Sequence, residues 1–429
     1  MTVSLMTARL MPDLPHTPLQ ARLLRLSYPA AALSTGLAVP LLALGPATLA
    51  GTMVILVAAL MVAASCDRGA LIKSTADHAF TLVGGAVLFV FACWLISALG
   101  SFEPGRSLEK WGRTLIFIPL AVMLYRHLSA DKKALELGLR TILIVTLLCG
   151  IFVLLCRYYQ PVTPDFLKYS FTGDLFKITK SYGSAAACLI PVTLVAGISQ
   201  GGIWRWLGLA CVPVLVGVIY MVESRAGFLG LGGGAFILFV WWMVRNLPHR
   251  LAWGAVILIM ALSSWSVINR LPSPPITNDT SFEIPFSLID QHRQIIWGFT
   301  LEKAKAAPWF GHGPDLINRL PDANIKIPNF NQQYIPAHPH NWAIEIFAET
   351  GRAGMAALLM ALFLFLRELL RRPPTLLIGG ALALNGIYWV SGLANVSFWS
   401  AWWQGTYLLL SALLFAAMSR EKQRHERLQ

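Results

Sequence analysis

Two histidines, an asparagine and two glutamates crowd the stretch from His338 to Gly354: His338, His340, Asn341, Glu345 and Glu349. Pro339 suits the first position of a helix and Gly351 the position just past its end, which predicts a short helix from about Pro339 to Thr350. On that helix Asn341, Glu345 and Glu349 share one face at i, i+4, i+8, and Trp342, Ile344, Ile346 and Phe347 cover the rest. His338 then stands beside a helix N-terminus, where free N–H groups and the helix dipole attract anions. The same dipole disfavours a charged imidazole, and a neutral one can accept a proton at physiological pH, so His338 is the candidate general base. A base beside an anion site at a membrane surface points to group transfer from a phosphate-activated lipid. A bland alternative is a structural histidine at the helix start. His338 and His340 also have zinc-like character, but a zinc site needs a third ligand, and no spacing ties Asp315, Glu345 or His312 to the pair. Neither a metal site nor a cofactor is expected.

These residues belong to a chain built for a bilayer. Hydrophobic residues make up 56% of it and charged residues 13%, against roughly 25% charged in a soluble domain. The expected fold is an all-α polytopic membrane protein, one transmembrane domain over 1–429, with about twelve transmembrane helices. The apolar runs lie near 28–44, 47–65, 80–99, 108–125, 137–157, 183–200, 204–222, 226–244, 252–269, 352–369, 374–393 and 400–418. The net charge of +13 follows their alternation. Arg9, Arg22 and Arg25 precede the first span, and Arg126, Lys132, Lys133 and Arg140 fill the fourth connection. Arg245 and Arg250 fill the eighth, Arg367, Arg371 and Arg372 the tenth, and Arg420, Lys422, Arg424 and Arg427 the tail. This is the positive-inside pattern, with both termini cytoplasmic. Topology accounts for the basicity, so membrane lipid and not nucleic acid is the expected partner. The six cysteines lie in or beside spans and imply no disulfide framework. The N-terminal apolar run reads as a retained first span.

One connection is out of proportion. The stretch 270–339, roughly seventy residues between spans nine and ten, falls on the outer, periplasmic face, and long loops in compact proteins are usually functional. Helical patterning is expected from Ser287 to Lys305 and again near Asp315 to Leu320, on either side of the turn-forming Pro308-Trp309-Phe310-Gly311-His312-Gly313. The outer connection from Tyr158 to Tyr182 is the other sizeable one.

Outer cations lack the topological explanation that covers the inner ones. Arg225 follows Glu223 and Ser224 at a connection too short to be a solvated loop, and Arg293 lies in the helical part of the long loop. Arginine suits a pyrophosphate because its planar fork makes paired charge-assisted hydrogen bonds, and a charge near membrane depth is costly without a role. A local pair of Arg225 with Glu223, or an ordinary exposed Arg293, are the plainer readings. Lys177, Lys180, Arg270 and Arg319 are generic outer cations.

Three features occur in order: Ser224-Arg225-Ala226-Gly227; Arg293 with Trp297 four residues on, then the Pro308–Gly313 turn; and His338, His340 and Asn341 running to Glu349, Thr350 and Gly351. With about a dozen spans and one long outer loop before the third-last, the chain resembles the O-antigen ligase and polymerase superfamily. The resemblance covers roughly 80–420 in organisation and is motif-specific over about 220–355. It implies a polytopic glycosyltransferase of the bacterial inner membrane with a periplasmic active site, to which the long loop contributes. The reaction would be inverting and metal-independent. The donor would be a glycan on undecaprenyl pyrophosphate and the acceptor, in the ligase branch, the lipid A-core. His338 would activate the acceptor hydroxyl, Arg225 and Arg293 would hold the pyrophosphate, and His340, Asn341 and Glu345 would support them. Polymerase and protein O-oligosaccharyltransferase relatives are the alternatives within the superfamily. A twelve-span transporter or lipid flippase is the alternative outside it, but the chain lacks visible halves or discontinuous spans.

Overall fold

A computed structural model of the chain describes residues 17–67, 69–158, 175–277, 279–327, 330, 332–394 and 396–428. Among them the regular structure is helical, with an isolated bridge between Lys326 and Gln333. The helices are α1 (Pro18–Ala38), α2 (Pro46–Cys66), α3 (Ala70–Ala79), α4 (Leu82–Leu99), α5 (Pro104–Ala130), α6 (Lys132–Tyr158) and α7 (Leu175–Gln200), followed by α8 (Gly202–Met221), α9 (Arg225–Asn246), α10 (His249–Ile268), α11 (Gln291–Ala304), α12 (Trp342–Leu370), α13 (Leu376–Ser391) and α14 (Ala401–Leu428).

Each of the twelve expected stretches falls on a helix, but they are unequal. Among the described residues eight helices are long and apolar enough to cross a membrane: α2, α4, α6, α7, α8, α9, α12 and α14. The apolar part of α10 and α13 are shorter. The expected first span is divided: α1 ends at Ala38, a 3₁₀ turn covers Pro40–Leu44, and Gly45, at φ 119°, turns the chain into α2. In the long loop the expected 287–305 helix is α11, and the expected helix near Asp315 is only a 3₁₀ turn at Ile317–Arg319. Arg9, Arg68 and the segment 159–174 lie outside the described residues, as do the side chains of Lys177, Lys180, Arg250, Arg424 and Arg427.

Small residues bring the membrane helices close, as expected where packing rather than hydrophobicity drives association. A Cβ on Gly233 of α9 would lie 2.6 Å from the Gly386 carbonyl of α13, and one on Gly197 of α7 would lie 2.8 Å from the Cα of Gly208 of α8. The main core runs through α1, α2, α6, α7, α8, α13 and α14. A second core, with Ile295, Ile296, Trp297, Phe299, Ile317 and Ile335, lies inside the long loop and includes Ala348 of α12. The long loop is therefore a packed layer seated on one end of the bundle. At that end Ser107 of α5 donates to the Pro314 carbonyl at 2.9 Å, and both Nε and Nη2 of Arg157 donate to the Met221 carbonyl. At the opposite end Arg140 donates to Gln200 and Arg245 to the Arg372 carbonyl.

Candidate functional site

The block from His338 to Gly354 does not fold as one short helix from Pro339. Asn341 is the N-cap: its side chain accepts from the N–H groups of Ala343 and Ile344, and the helix starts at Trp342. Asparagine at the cap satisfies two of the free donors at a helix start, which outweighs the fit of proline two residues earlier. Asn341 is thus a capping residue and not a member of the Glu345 and Glu349 face. Nor does the helix end at Gly351. That residue adopts φ 67°, ψ −169°, the chain kinks, and α12 resumes to Leu370.

The kink is filled by the other glycine motif. Breaking the helix at Gly351 leaves the carbonyls of Ala348 and Glu349 and the N–H groups of Arg352 and Ala353 without helical partners. His312 and Gly313 donate to those carbonyls at 3.1 and 2.8 Å, and Arg352 and Ala353 donate to the carbonyls of Pro308 and Trp309 at 2.9 and 3.0 Å. The Pro308–Gly313 turn is therefore a backbone strap that completes the interrupted helix. Side chains are excluded at the crossing: a Cβ on Gly311 would lie 2.2 Å from the Glu349 carbonyl carbon, and one on Gly351 would lie 2.3 Å from that of Trp309. Gly311 itself has φ 69°.

Glu345 and Glu349, on one face of α12, are 1% and 0% exposed. Glu345 accepts from Ser397 Oγ at 2.7 Å and from the Phe398 N–H at 2.6 Å. Glu349 accepts from the N–H groups of Asp315 (2.8 Å) and Ile317 (3.1 Å) and from Trp399 Nε1. These carboxylates face inward and bind loops rather than an open site. The long loop and the connection between α13 and α14 are joined through them to the first turns of α12.

His338 and His340 stand just ahead of the cap, their rings 4.1 Å apart between centroids. The His340 N–H donates to His338 Nδ1 at 3.1 Å, which places the proton of the neutral His338 ring on Nε2. Burial first, and then the neighbouring His340, push the His338 pKa down to about 3. His340 has φ 57°, a conformation rare outside glycine, and such strain gathers at functional sites. Among the described residues no group of three or more His, Cys, Asp or Glu side chains is placed to hold a metal ion.

Of the two arginines, Arg293 belongs to the same assembly. Asp290 caps α11 through the Arg293 N–H at 2.9 Å and pairs with Arg293 Nε at 3.3 Å. One turn along the helix, Trp297 Nε1 donates to the Pro339 carbonyl at 2.9 Å, between the two histidines. Arg225 is the first residue of α9, behind the cap formed by Ser224 Oγ on the Gly227 N–H. Its exposed side chain makes no ion pair or hydrogen bond with the described residues, so the pairing with Glu223 does not form. Gly227 allows close approach, since a Cβ there would lie 2.9 Å from the Gly183 carbonyl of α7.

A basic row at the N-terminal end of α5, which meets the long loop, was not among the cations singled out from the sequence. Arg106 Nε donates to the Asp315 carbonyl at 3.0 Å and its Nη2 to the Asp315 carboxylate at 2.8 Å, with Lys110 Nζ 3.6 Å from the same oxygen. Arg113 donates to the Trp399 carbonyl. The i, i+4, i+7 spacing of three cations at the start of an apolar helix was the available signal.

Residues 209–359 match the family described as O-Antigen ligase. The match begins in α8, ends in α12, and contains Arg225, Arg293, the whole long loop and His338. A "Putative polysaccharide ligase" of Rickettsia felis is 23% identical over 327 residues, 73% of this chain and 75% of that protein. Similarly named proteins of Rickettsia conorii (24% over 342 residues, 76% of each chain) and Rickettsia prowazekii (22% over 343 residues, 75% and 78%) align comparably. The resemblance drawn from the three motifs therefore holds, and the segment that carries them matches the O-antigen ligase family.

Proposed function

We propose that this chain is a glycosyltransferase that moves a polysaccharide from undecaprenyl pyrophosphate to a sugar hydroxyl of the lipid A-core. The loop end of the bundle faces the periplasm of a bacterial inner membrane, both termini lie in the cytoplasm, and the 270–339 layer forms part of the site. The observation that carries this reading is the bond from Trp297 to the Pro339 carbonyl, because it ties the arginine-bearing helix to the histidine segment. The family match and the polysaccharide ligase relatives support the reaction class.

In the reaction the acceptor hydroxyl attacks the anomeric carbon on the face opposite the pyrophosphate. The new C–O bond forms, the old one breaks, the hydroxyl proton passes to His338, and the lipid pyrophosphate leaves with its charge held by Arg225 and Arg293. Neutralising the leaving group removes the need for a protein acid, and preorganised cations supply a large share of the stabilisation. A pKa of about 3 makes His338 a weak base in the empty site. A bound dianion raises it, and protonation at Nδ1 displaces the bond from the His340 N–H. His338 therefore becomes effective when the donor is in place.

The deciding experiment is a His338→Ala strain. The expected result is bare lipid A-core together with accumulated lipid-linked polymer. Cores carrying single repeat units would instead mean a polymerase, and normal polymer attachment would remove His338 from the reaction. Transfer between purified donor and acceptor in detergent separates an enzyme from a transporter, which needs a sealed compartment.

A further inference from the structure

Arg352 lies in the same motif block but has no part in the chemistry above. Its backbone is pinned by the strap, with its N–H on the Pro308 carbonyl. Its exposed guanidinium makes no ion pair or hydrogen bond with the described residues and lies over the ring of Trp309, 5.6 Å from the centroid. Four arginines at this end are occupied, Arg106 by Asp315, Arg113 by the Trp399 carbonyl, Arg157 by the Met221 carbonyl and Arg293 by Asp290, whereas Arg352 and Arg225 are not. Glu349, less than a turn before it, is buried and takes its donors from Asp315, Ile317 and Trp399.

The surroundings describe what would complete this cation. Trp309 is 62% exposed and Phe310 beside it is also exposed, although both stand on a strap bonded to α12 through the backbone of Pro308, Trp309, His312 and Gly313. Leu359, Met360 and Phe363, at i+7, i+8 and i+11 from Arg352, lie on the same face of α12 and are exposed. A lone guanidinium and an indole stand at the head of an apolar strip, where the membrane-crossing part of α12 begins. We propose that Arg352 and Trp309 form a headgroup site for a phosphate-bearing membrane phospholipid whose chains lie along Leu359, Met360 and Phe363. The guanidinium fork matches two phosphate oxygens, and indoles settle at the headgroup level. The strap holds both residues in place before the lipid arrives, so little ordering is lost on binding. The site uses neither Arg225 nor Arg293, and its test does not depend on the transfer reaction.

The test uses the full chain purified in mild detergent, with phosphatidylglycerol added. Native mass spectrometry counts the retained lipid, and thermal unfolding reads its effect on stability. Wild type is expected to retain one phosphatidylglycerol more than Arg352→Gln and to gain thermal stability from it. Arg352→Lys and Trp309→Leu should each bind roughly tenfold more weakly, the scale of one charge-assisted contact. Should Arg352→Gln fail to fold, those two variants carry the comparison. Equal retention and equal stabilisation across wild type and variants would overturn the proposal. So would inorganic phosphate that stabilises wild type as much as the lipid does, since the site would then take a free anion.

Discussion

Trp297 donates its indole N–H to the carbonyl of Pro339 at 2.9 Å, so a helix of the long loop grips the turn between His338 and His340. The donor sits one turn beyond Arg293, and the acceptor belongs to the residue that separates the two histidines. Trp297→Phe keeps the buried ring and removes only the bond. Stability should fall by about 1 kcal/mol, while transfer in detergent should drop roughly tenfold through misplacement of the site. Wild-type turnover in this variant would show that the bond does not position the site.

The strap makes its own prediction. Gly311→Ala and Gly351→Ala place a Cβ within 2.2 and 2.3 Å of opposing backbone, at residues with φ 69° and 67°. The backbone conformation alone costs about 1–3 kcal/mol, before any displacement of the strap. Gly85→Ala in α4, where nothing lies within 4 Å, is the control and should be neutral or slightly stabilising. Thermal midpoints in detergent compare the three. If all three match wild type, the strap is not a fixed joint.

Glu349 collects three N–H donors, from Asp315, Ile317 and Trp399. Glu349→Gln replaces one accepting oxygen by an NH₂ group that meets a donor head-on. Breaking such a buried set costs about 2–4 kcal/mol, and the long loop should become sensitive to added protease. Unchanged protection of the loop would mean that its own core suffices to seat it.

The pH dependence of His338 has a definite sign. In the fold its pKa lies at about 3, against 6.5 for the free side chain. Between those values the unfolded chain binds a proton that the folded chain does not, so stability falls as pH drops through 6.5 toward 3. Above 6.5 the contribution vanishes. His338→Asn should therefore unfold at a higher temperature than wild type at pH 5 relative to pH 8, as differential scanning would record. Donor binding should raise the His338 pKa, so the acid limb of kcat should lie above that of kcat/KM. Coincident limbs would contradict the proposal that bound pyrophosphate activates this residue.

Arg293 is held by the residue that caps its helix. Asp290→Asn keeps the capping oxygen and removes the charge that competes for the guanidinium. Donor binding is expected to strengthen a few-fold, because a partly exposed ion pair contributes only about 0–1 kcal/mol. Arg225→Lys and Arg293→Lys should each lose about 2–4 kcal/mol of barrier lowering, since a point charge does not reproduce the fork. Full activity of both lysine variants would remove them from the clamp.

Composition and the period of the apolar runs were enough to read an all-helical membrane protein, because burial in a bilayer leaves the backbone few alternatives to the helix. The order of three motifs was enough to read the family, which the match over 209–359 bears out. Individual roles within the motifs were less legible. Asn341 looked like a face residue and is a cap, because a cap is defined by where the helix starts and that depends on what holds the preceding turn. Gly351 was legible as a left-handed glycine, yet it interrupts a helix instead of ending one. The carbonyls that it frees find donors thirty-six residues earlier in the chain, at His312 and Gly313. Glu345 and Glu349 carried the right spacing for one face, but only the packed loops turn that face inward and fill it with N–H donors. Spacing along a helix is local and can be read from residue types. Which partner meets a given face is set by how a seventy-residue loop folds back onto the bundle, and no local pattern in the chain encodes that.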